Sequence, residues 1–320
     1  MQPTKRPSIY DEITSRVLQK LESGVESWQR PWRTIGPVNA LTNRAYRGIN
    51  ILLLGIAASE RGYASNGWVA FRAAAAAGGH VTRGERATTI VWWERRVVTS
   101  SEKDISEIAD AAMCESRSSW LTRTYSVFNL DQCEGLASLR EQSTRKIAHH
   151  ELVGACERIV VASGARIRAG GASASYCPAT DTISLPALQQ FSSADSYYAT
   201  LFHELTHWTG APDRLNRKRS VRFGSDAYAF EELVAELGAA FLCGRCAIPH
   251  VTRAAAYLDG WLRVLRSDSR AIVAAARLAS ASSDYLAAED ANSDCCATSP
   301  NETTHDAKLV QLLDETRCLT

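Results

Sequence analysis

The chain lacks any hydrophobic run long enough to cross a membrane, because no stretch approaches the roughly 18 consecutive apolar residues that a spanning helix needs. The polar and basic start, residues 1–6, is not followed by an apolar segment, so it does not have the pattern of a secretory signal. These two absences exclude a membrane partner and predict a cytoplasmic location. Hydrophobic residues make up 45% of the chain, which is ample for packed cores.

The sequence also has no sign of a disulfide framework. Its nine cysteines are odd in number and scattered, a usage typical of reduced thiols. Cys243 and Cys246 form a C-x-x-C pair near the end of a predicted helix. Because no second pair accompanies them, we predict buried thiols at these positions and neither a redox motif nor a zinc site.

The net charge of +1 conceals a difference between two parts of the chain. Residues 1–98 carry 14 Lys and Arg against 7 Asp and Glu, and the remainder carries 22 against 28. The basic part is also rich in aromatic residues, and single-stranded nucleic acid is bound by basic grooves with aromatic rings on which bases stack. We expect Phe71 and Trp92 to be core residues. The predicted DNA-binding residues are Trp28, Arg30, Trp32, Arg33, Tyr46 and Arg47.

The segment His203-Glu204-Leu205-Thr206-His207 carries the strongest chemical signal. On a helix, residues four apart lie on one face, so both imidazoles can reach a single cation. Such a pair leaves an open coordination position for water, and Glu204 is placed to act as the general base. The pattern predicts a site for Zn²⁺ or another divalent transition metal.

A third ligand is expected on a second helix that begins near residue 226. Glu232 and Glu236 are four apart there among apolar neighbours, where unpaired carboxylates would be costly. We assign Glu232 as the ligand and Glu236 as the acceptor that orients a histidine, although the two could exchange roles. Asp213, after a glycine turn, is an alternative ligand. Tyr228 and Tyr176 are candidate donors to a developing oxyanion.

Hydrophobic periodicity and turn residues predict the remaining elements. The predicted order is a helix at 8–23, a hairpin at 81–98, a strand at 125–130, helices at 145–162 and 254–280, and a polar tail at 289–305. We expect three regions with boundaries at 1–135, 145–290 and 291–320. A fragment that ends near residue 135 is expected to bind single-stranded DNA by itself.

Five segments occur in an order and spacing specific enough to carry a family resemblance: residues 28–32, 46–50, 127–132, 203–210 and 231–237. Together they resemble the ArdC-type antirestriction proteins of plasmids, and the N-terminal part is also similar to TraC-like plasmid primases. One departure is Asn43, which stands where the family turn leads us to expect glycine; asparagine tolerates the left-handed conformation.

The resemblance implies an α+β fold, with a mixed α/β single-stranded DNA-binding domain followed by a zincin-like metallopeptidase domain. It implies a bacterial protein that protects incoming plasmid DNA from host restriction during conjugation and can be transferred with that DNA. Its expected partners are single-stranded DNA and a protein substrate or the host restriction machinery.

Three functions remain open from the sequence. The metal domain of an antirestriction protein can be a working, gluzincin-like peptidase or a vestige of one. Alternatively, the chain is a zinc endopeptidase whose basic half recruits a protein substrate. A third possibility is a DNA-binding protein with structural zinc, but structural sites close all four positions, usually with cysteine. No cysteine lies in the helical motif, so an open site is favoured.

Overall fold

The computed structural model describes residues 8–23, 36–97, 118–143, 149–170, 173–217, 224–250 and 257–292. Within these ranges, every helix falls short of the length and apolar character of a membrane span. The predicted contact residues Trp28, Arg30, Trp32 and Arg33 lie outside the described residues, as does the chain after residue 292.

The N-terminal half combines helices with a mixed four-stranded sheet and a separate two-stranded ladder. Its elements are α1 (Ile9–Glu22), β1 (Val38–Asn39), α2 (Ile49–Arg61), β2 (Gly67–Ala70), α3 (Phe71–Ala76), β3 (His80–Val81), β4 (Thr88–Val97), β5 (Ser118–Asn129), β6 (Cys133–Glu134) and α4 (Ala137–Ser143). The sheet has the strand order β1-β2-β5-β4, and β3 and β6 form the ladder.

The C-terminal half is mainly helical and carries a small three-stranded sheet. Its elements are α5 (His149–Ser163), β7 (Arg166–Ala169), β8 (Ser175–Cys177), β9 (Thr182–Leu185), α6 (Ala194–Trp208), α7 (Asp226–Arg245), α8 (Leu258–Ser267) and α9 (Ala271–Asn292). The strand order in the sheet is β7-β9-β8. The helices α6 and α7 are the ones predicted from the H-E-x-x-H and glutamate segments. Cys243 and Cys246 are buried free thiols, as predicted.

Two helices of the C-terminal half differ from the sequence prediction. The helix expected at 254–280 is broken at Asp268, which has extended backbone and whose carboxylate accepts a hydrogen bond from the backbone of Arg270 at 2.8 Å. This local capping ends α8 and starts α9. Helix α9 then continues to Asn292, beyond the point where the polar tail was expected to begin.

The predicted hairpin at 81–98 is wrong. Strand β3 pairs with β6, whereas β4 pairs with β5 along all ten of its residues, from Thr88 opposite Val127 to Val97 opposite Ser118. The long ladder offers β4 far more backbone hydrogen bonds than the two residues of β3 could. A local turn signal does not reveal such a distant partner.

Segments that carry the family resemblance in the N-terminal half fix the fold of that half. The Asn50 side chain exchanges two hydrogen bonds of 2.8 Å with the backbone of Val91, which ties α2 to β4. Asp131 accepts from the backbone of Ala64 and Ser65 at 2.7 and 3.0 Å, which fixes the loop before β2.

The two halves share one hydrophobic core. Buried residues of α1, α2 and β4 pack with those of α7, α8 and α9 in a single cluster, which includes Val17, Leu52, Val91, Leu233 and Trp261. Cutting the chain near residue 135 would expose the N-terminal side of this core to water. DNA binding is therefore best measured on the full chain.

Candidate metal centre and nucleic-acid interface

Helices α6 and α7 are started by serine caps and pack very closely. Ser193 accepts from the backbone of Ser196 at 3.1 Å, and Ser225 accepts from that of Tyr228 at 3.2 Å. At the crossing, a Cβ on Gly238 would meet the Thr206 side chain at 2.5 Å. Only glycine therefore permits this separation, which brings the glutamates of α7 to the histidines of α6.

The histidines and the predicted third ligand converge in the interior. Nε2 of His203 lies 3.4 Å from Oε2 of Glu232, and Nε2 of His207 lies 3.6 Å from Oε1 of the same carboxylate. One ligand-type atom from each of the three residues lies within 4.8 Å of the other two, and all three residues are buried. The arrangement can hold one metal ion.

The second nitrogen of each imidazole faces a different carboxylate. Nδ1 of His203 lies 3.4 Å from Glu236, and Nδ1 of His207 lies 3.3 Å from Glu231. Such contacts fix the tautomer and orientation of metal-ligating histidines. Glu236 thus lies beside the ring that it is predicted to orient. Glu231 was not predicted, because no spacing rule distinguishes it from Glu232.

Two further residues, which were not predicted from the sequence, contact these carboxylates. Nη2 of Arg217 lies 3.0 Å from Glu231, and its Nη1 donates at 2.8 Å to the hydroxyls of Thr209 and Ser282. Nε2 of His250 lies 3.3 Å from Glu236. Both come from segments between helices, where periodicity gives no signal.

The charge balance of the cluster favours a cation. The carboxylates of Glu231, Glu232 and Glu236 are buried around the two imidazoles, with Arg217 as the nearby guanidinium. Burial alone would lower the pKa of His203, but the carboxylates of Glu232 and Glu236 raise it to about 10. The buried carboxylates therefore stabilise positive charge placed between them and the imidazoles, and a divalent ion would supply that charge. The residues present therefore fit a metal.

Glu204 differs from the other buried glutamates. Its side chain is buried, yet in the described part of the chain its carboxylate makes no hydrogen bond or ion pair. It follows His203 directly on α6. A carboxylate that is not committed to a ring nitrogen or a guanidinium remains available to accept a proton.

The alternative ligand and the two candidate oxyanion donors differ in how close they lie to the cluster. The Asp213 side chain is 74% exposed and lies 3.4 Å from Arg214, so it is not brought to the cluster. The Tyr176 hydroxyl donates to Asp181 at 2.9 Å and is thus engaged elsewhere. Burial and the Glu232 carboxylate raise the pKa of Tyr228 well above its usual range, which places that hydroxyl beside the third predicted ligand.

Two predicted DNA-binding residues are described, and they lie at the junction of the halves. Tyr46 is half-buried, and burial raises the pKa of its hydroxyl to about 12. The Arg47 side chain is 77% exposed, and its Nε lies 3.8 Å from Asp284.

The expectation that Phe71 and Trp92 are core residues is wrong, since they are 60% and 36% exposed. Whether each ring faces the core or the solvent depends on the register of its strand or helix, which the composition of the sequence does not reveal.

Two family models match the chain. The N-terminal domain of the anti-restriction factor ArdC matches residues 7–128, and a zincin-like metallopeptidase matches residues 154–278. The crystal structure of the antirestriction ArdC protein from the R388 plasmid, in its metal-free form, is 36% identical, with a TM-score of 0.72 over 89% of this chain and 99% of that chain. The chain belongs to the ArdC antirestriction family. Its fold is the expected α+β pair of an ArdC-like N-terminal domain and a zincin-like domain.

Other relatives of this ArdC-family chain are consistent with that membership. The Mn(II)-bound structure of R388 ArdC is 37% identical with a TM-score of 0.70 over 89% of this chain and 99% of that chain. An uncharacterized protein y4eC of Sinorhizobium fredii is 35% identical over 91% of this chain and 95% of its own length. DNA primase TraC of Escherichia coli is 36% identical over 90% of this chain, which spans only 28% of TraC. The zincin-like match, the Mn(II)-bound relative and the His203–His207–Glu232 cluster together support a divalent metal cofactor.

Proposed function

We propose that this ArdC-family protein binds single-stranded DNA and carries a metal-dependent peptidase site, and that it protects incoming plasmid DNA from host restriction during conjugation. The observation that carries the proposal is the buried cluster in which His203, His207 and Glu232 present ligand atoms to one point. Glu204 stands beside them with no other partner in the described chain.

The chemistry follows from the roles of these residues. A bound divalent ion would act as a Lewis acid and lower the pKa of a water molecule it holds. Glu204 would accept the proton of the attacking water and pass it to the leaving amine. Glu231 and Glu236 hold the imidazoles in one tautomer, and Tyr228, beside Glu232, is the better placed of the two candidate oxyanion donors.

DNA binding is supported by the basic, aromatic N-terminal part. Exposed rings of Phe71 and Trp92 offer faces for base stacking, and Arg123 stands opposite Trp92 across the β4–β5 ladder. Arg47 extends this basic character to the junction between the two halves. The aromatic-basic residues 28–33 lie outside the described residues, and their role in binding remains a prediction.

The peptidase proposal is tested by Glu204→Gln. We expect this variant to keep its metal, because no predicted ligand changes, and to lose cleavage of fluorescently labelled casein. The activity loss should be at least about 100-fold, the scale of removing a general base. Unchanged turnover in Glu204→Gln would contradict the role of Glu204. If the wild type cleaves nothing, the metal site is regulatory or vestigial and the antirestriction proposal rests on DNA binding.

The DNA proposal is tested with the full chain in a competition between single-stranded and duplex DNA. We expect a preference for the single strand and an affinity that falls steeply with salt. Arg47→Ala should reduce the slope of log K against log salt by about one unit. A preference for duplex DNA, or binding of neither form at low salt, would favour the alternative of a zinc endopeptidase whose basic half recruits a protein substrate.

The biological role is tested by conjugation into a restricting and a non-restricting recipient. Wild-type protein should raise the yield of transconjugants only in the restricting recipient. Comparing Glu204→Gln with Arg47→Ala then separates the peptidase from the DNA-binding contribution.

A further inference from the structure

A cleft with a volume of about 490 Å³ separates the N-terminal half from the metal-bearing half. Pro37, Tyr46 and Arg47 line it from the N-terminal side, and α5, α7 and α9 line it from the other. This volume lies within the range of small-molecule sites. The cleft is distinct from the metal cluster, since neither histidine of that cluster is among its lining residues.

The lining combines flat apolar faces with positive charge. Tyr46 and Phe241 supply rings, that of Phe241 being only 3% exposed, and half of the other lining residues are aliphatic. Arg47, Arg158 and Arg245 also line the cleft, and no acidic side chain is among its described lining residues.

Two of these arginines share a single carboxylate. Asp284 forms ion pairs with both Arg47 and Arg245. One carboxylate shared by two guanidinium groups leaves an excess of positive charge at the cleft.

A buried hydroxyl adds an independent sign of a ligand. Ser283 lines the cleft, is 1% exposed, and its Oγ has no hydrogen-bond partner in the described structure. A buried polar atom without a partner is costly, and a ligand with polar edges would remove that cost.

We propose that this cleft binds a nucleotide unit, with the nucleobase between the apolar walls and its phosphate at the arginines. The proposal deepens the DNA-binding function and rests on it for the choice of ligand. A bare phosphate would make no use of the apolar walls, and an uncharged apolar ligand would make no use of the positive charge of the cleft. The same unit can come from a free nucleotide or from a single strand.

The position of the cleft gives such a ligand contact with the metal-bearing helix. Ala240, which lines the cleft, follows Glu236 by one turn of α7. A bound nucleotide would therefore pack against the helix that supplies Glu231, Glu232 and Glu236.

The test uses the full-length, metal-loaded protein and calorimetric titration with deoxyadenosine monophosphate. Ala287→Phe should fill the cleft, because Ala287 lines it from α9. Ala288→Phe is the matched control, since the next residue of the same helix is exposed and does not line the cleft. We expect Ala287→Phe to weaken binding by at least about tenfold and Ala288→Phe to change it by less than about twofold. Thermal melting checks that both variants remain folded.

Several outcomes would overturn the proposal. They are no binding of the mononucleotide at about 1 mM, equal binding by the two variants, or binding of inorganic phosphate as tight as that of the mononucleotide. A second titration with a fluorescently labelled single strand distinguishes the sources. If Ala287→Phe weakens strand binding as well, the strand places a nucleotide in the cleft; if only the mononucleotide is affected, the cleft serves free nucleotides.

These readouts also separate this proposal from the DNA-binding function. A strand that binds wild type and both variants equally, with no mononucleotide binding, would overturn the cleft and leave DNA binding intact. A mononucleotide that binds as expected, with no strand binding, would support the cleft and contradict the DNA-binding function.

Discussion

The metal cluster and the proposed nucleic-acid surface (Arg47, Phe71 and Trp92) differ in how their side chains are held. In the cluster, His203 and His207 each contact two buried carboxylates, and Arg217 and His250 stand behind those. On the surface, Phe71 and Arg47 are mostly exposed, and Trp92 is partly exposed. The cluster is preorganised for one ion, whereas the surface can adapt to many bases. Substitutions should therefore change stability in the first region and binding in the second.

The largest expected effect is that of Arg217→Ala in the cluster. Removing this guanidinium leaves Glu231 buried without its cation, which should lower the free energy of unfolding by about 3–5 kcal/mol. The control is Arg16→Ala, whose partly exposed pair with Glu60 at 2.9 Å should contribute less than about 1 kcal/mol. Urea denaturation of the metal-loaded proteins measures both. Equal losses of unfolding free energy in the two variants would show that the buried contacts of the cluster stabilise the fold no more than a partly exposed ion pair does.

Gly238→Ala should have the next largest effect. Its methyl group would meet the Thr206 side chain at 2.5 Å, so α6 and α7 must move apart at a cost of about 1–3 kcal/mol. We expect weaker metal binding as well, because the separation of these helices positions the ligands. Gly154→Ala is the control, since its nearest neighbour is the flexible end of Arg158 at 3.8 Å. A normal metal affinity in Gly238→Ala would show that the close crossing does not shape the site.

Smaller effects, confined to binding, are expected on the surface. Phe71→Ala and Trp92→Ala should each weaken single-stranded DNA binding by about 1–3 kcal/mol if a base stacks on the ring. The change in stability should be smaller for Phe71→Ala, at a 60% exposed position, than for Trp92→Ala, at a 36% exposed one. Val161→Ala, at a 76% exposed site of the other half, serves as the control in the same anisotropy assay. A loss of stability without a loss of affinity would make these rings structural.

The same contrast explains what the sequence could predict. Helical spacing places His203 beside His207 on α6 and Glu232 beside Glu236 on α7, because four residues make about one turn. The meeting of the two pairs was inferred from the cost of burying the glutamates without a cation. The roles of Arg217 and His250 depend on how segments between helices return to the cluster, which no local pattern encodes. The facing of Trp92 depends on the pairing of β4 with β5, and the sequence suggested a different partner. Local geometry was therefore predictable, and long-range pairing was not.

Metal content tests the central claim most directly. Purified wild-type protein should contain about one divalent ion per chain, and the double variant His203→Ala/His207→Ala should contain none and melt at a lower temperature. Glu232→Ala should lose the ion almost entirely, whereas Glu236→Ala should weaken binding by only about 10–100-fold, because it orients His203 without holding the metal. Elemental analysis with a metal titration gives both results. Full occupancy in the double variant, or a greater loss in Glu236→Ala than in Glu232→Ala, would contradict the assignment.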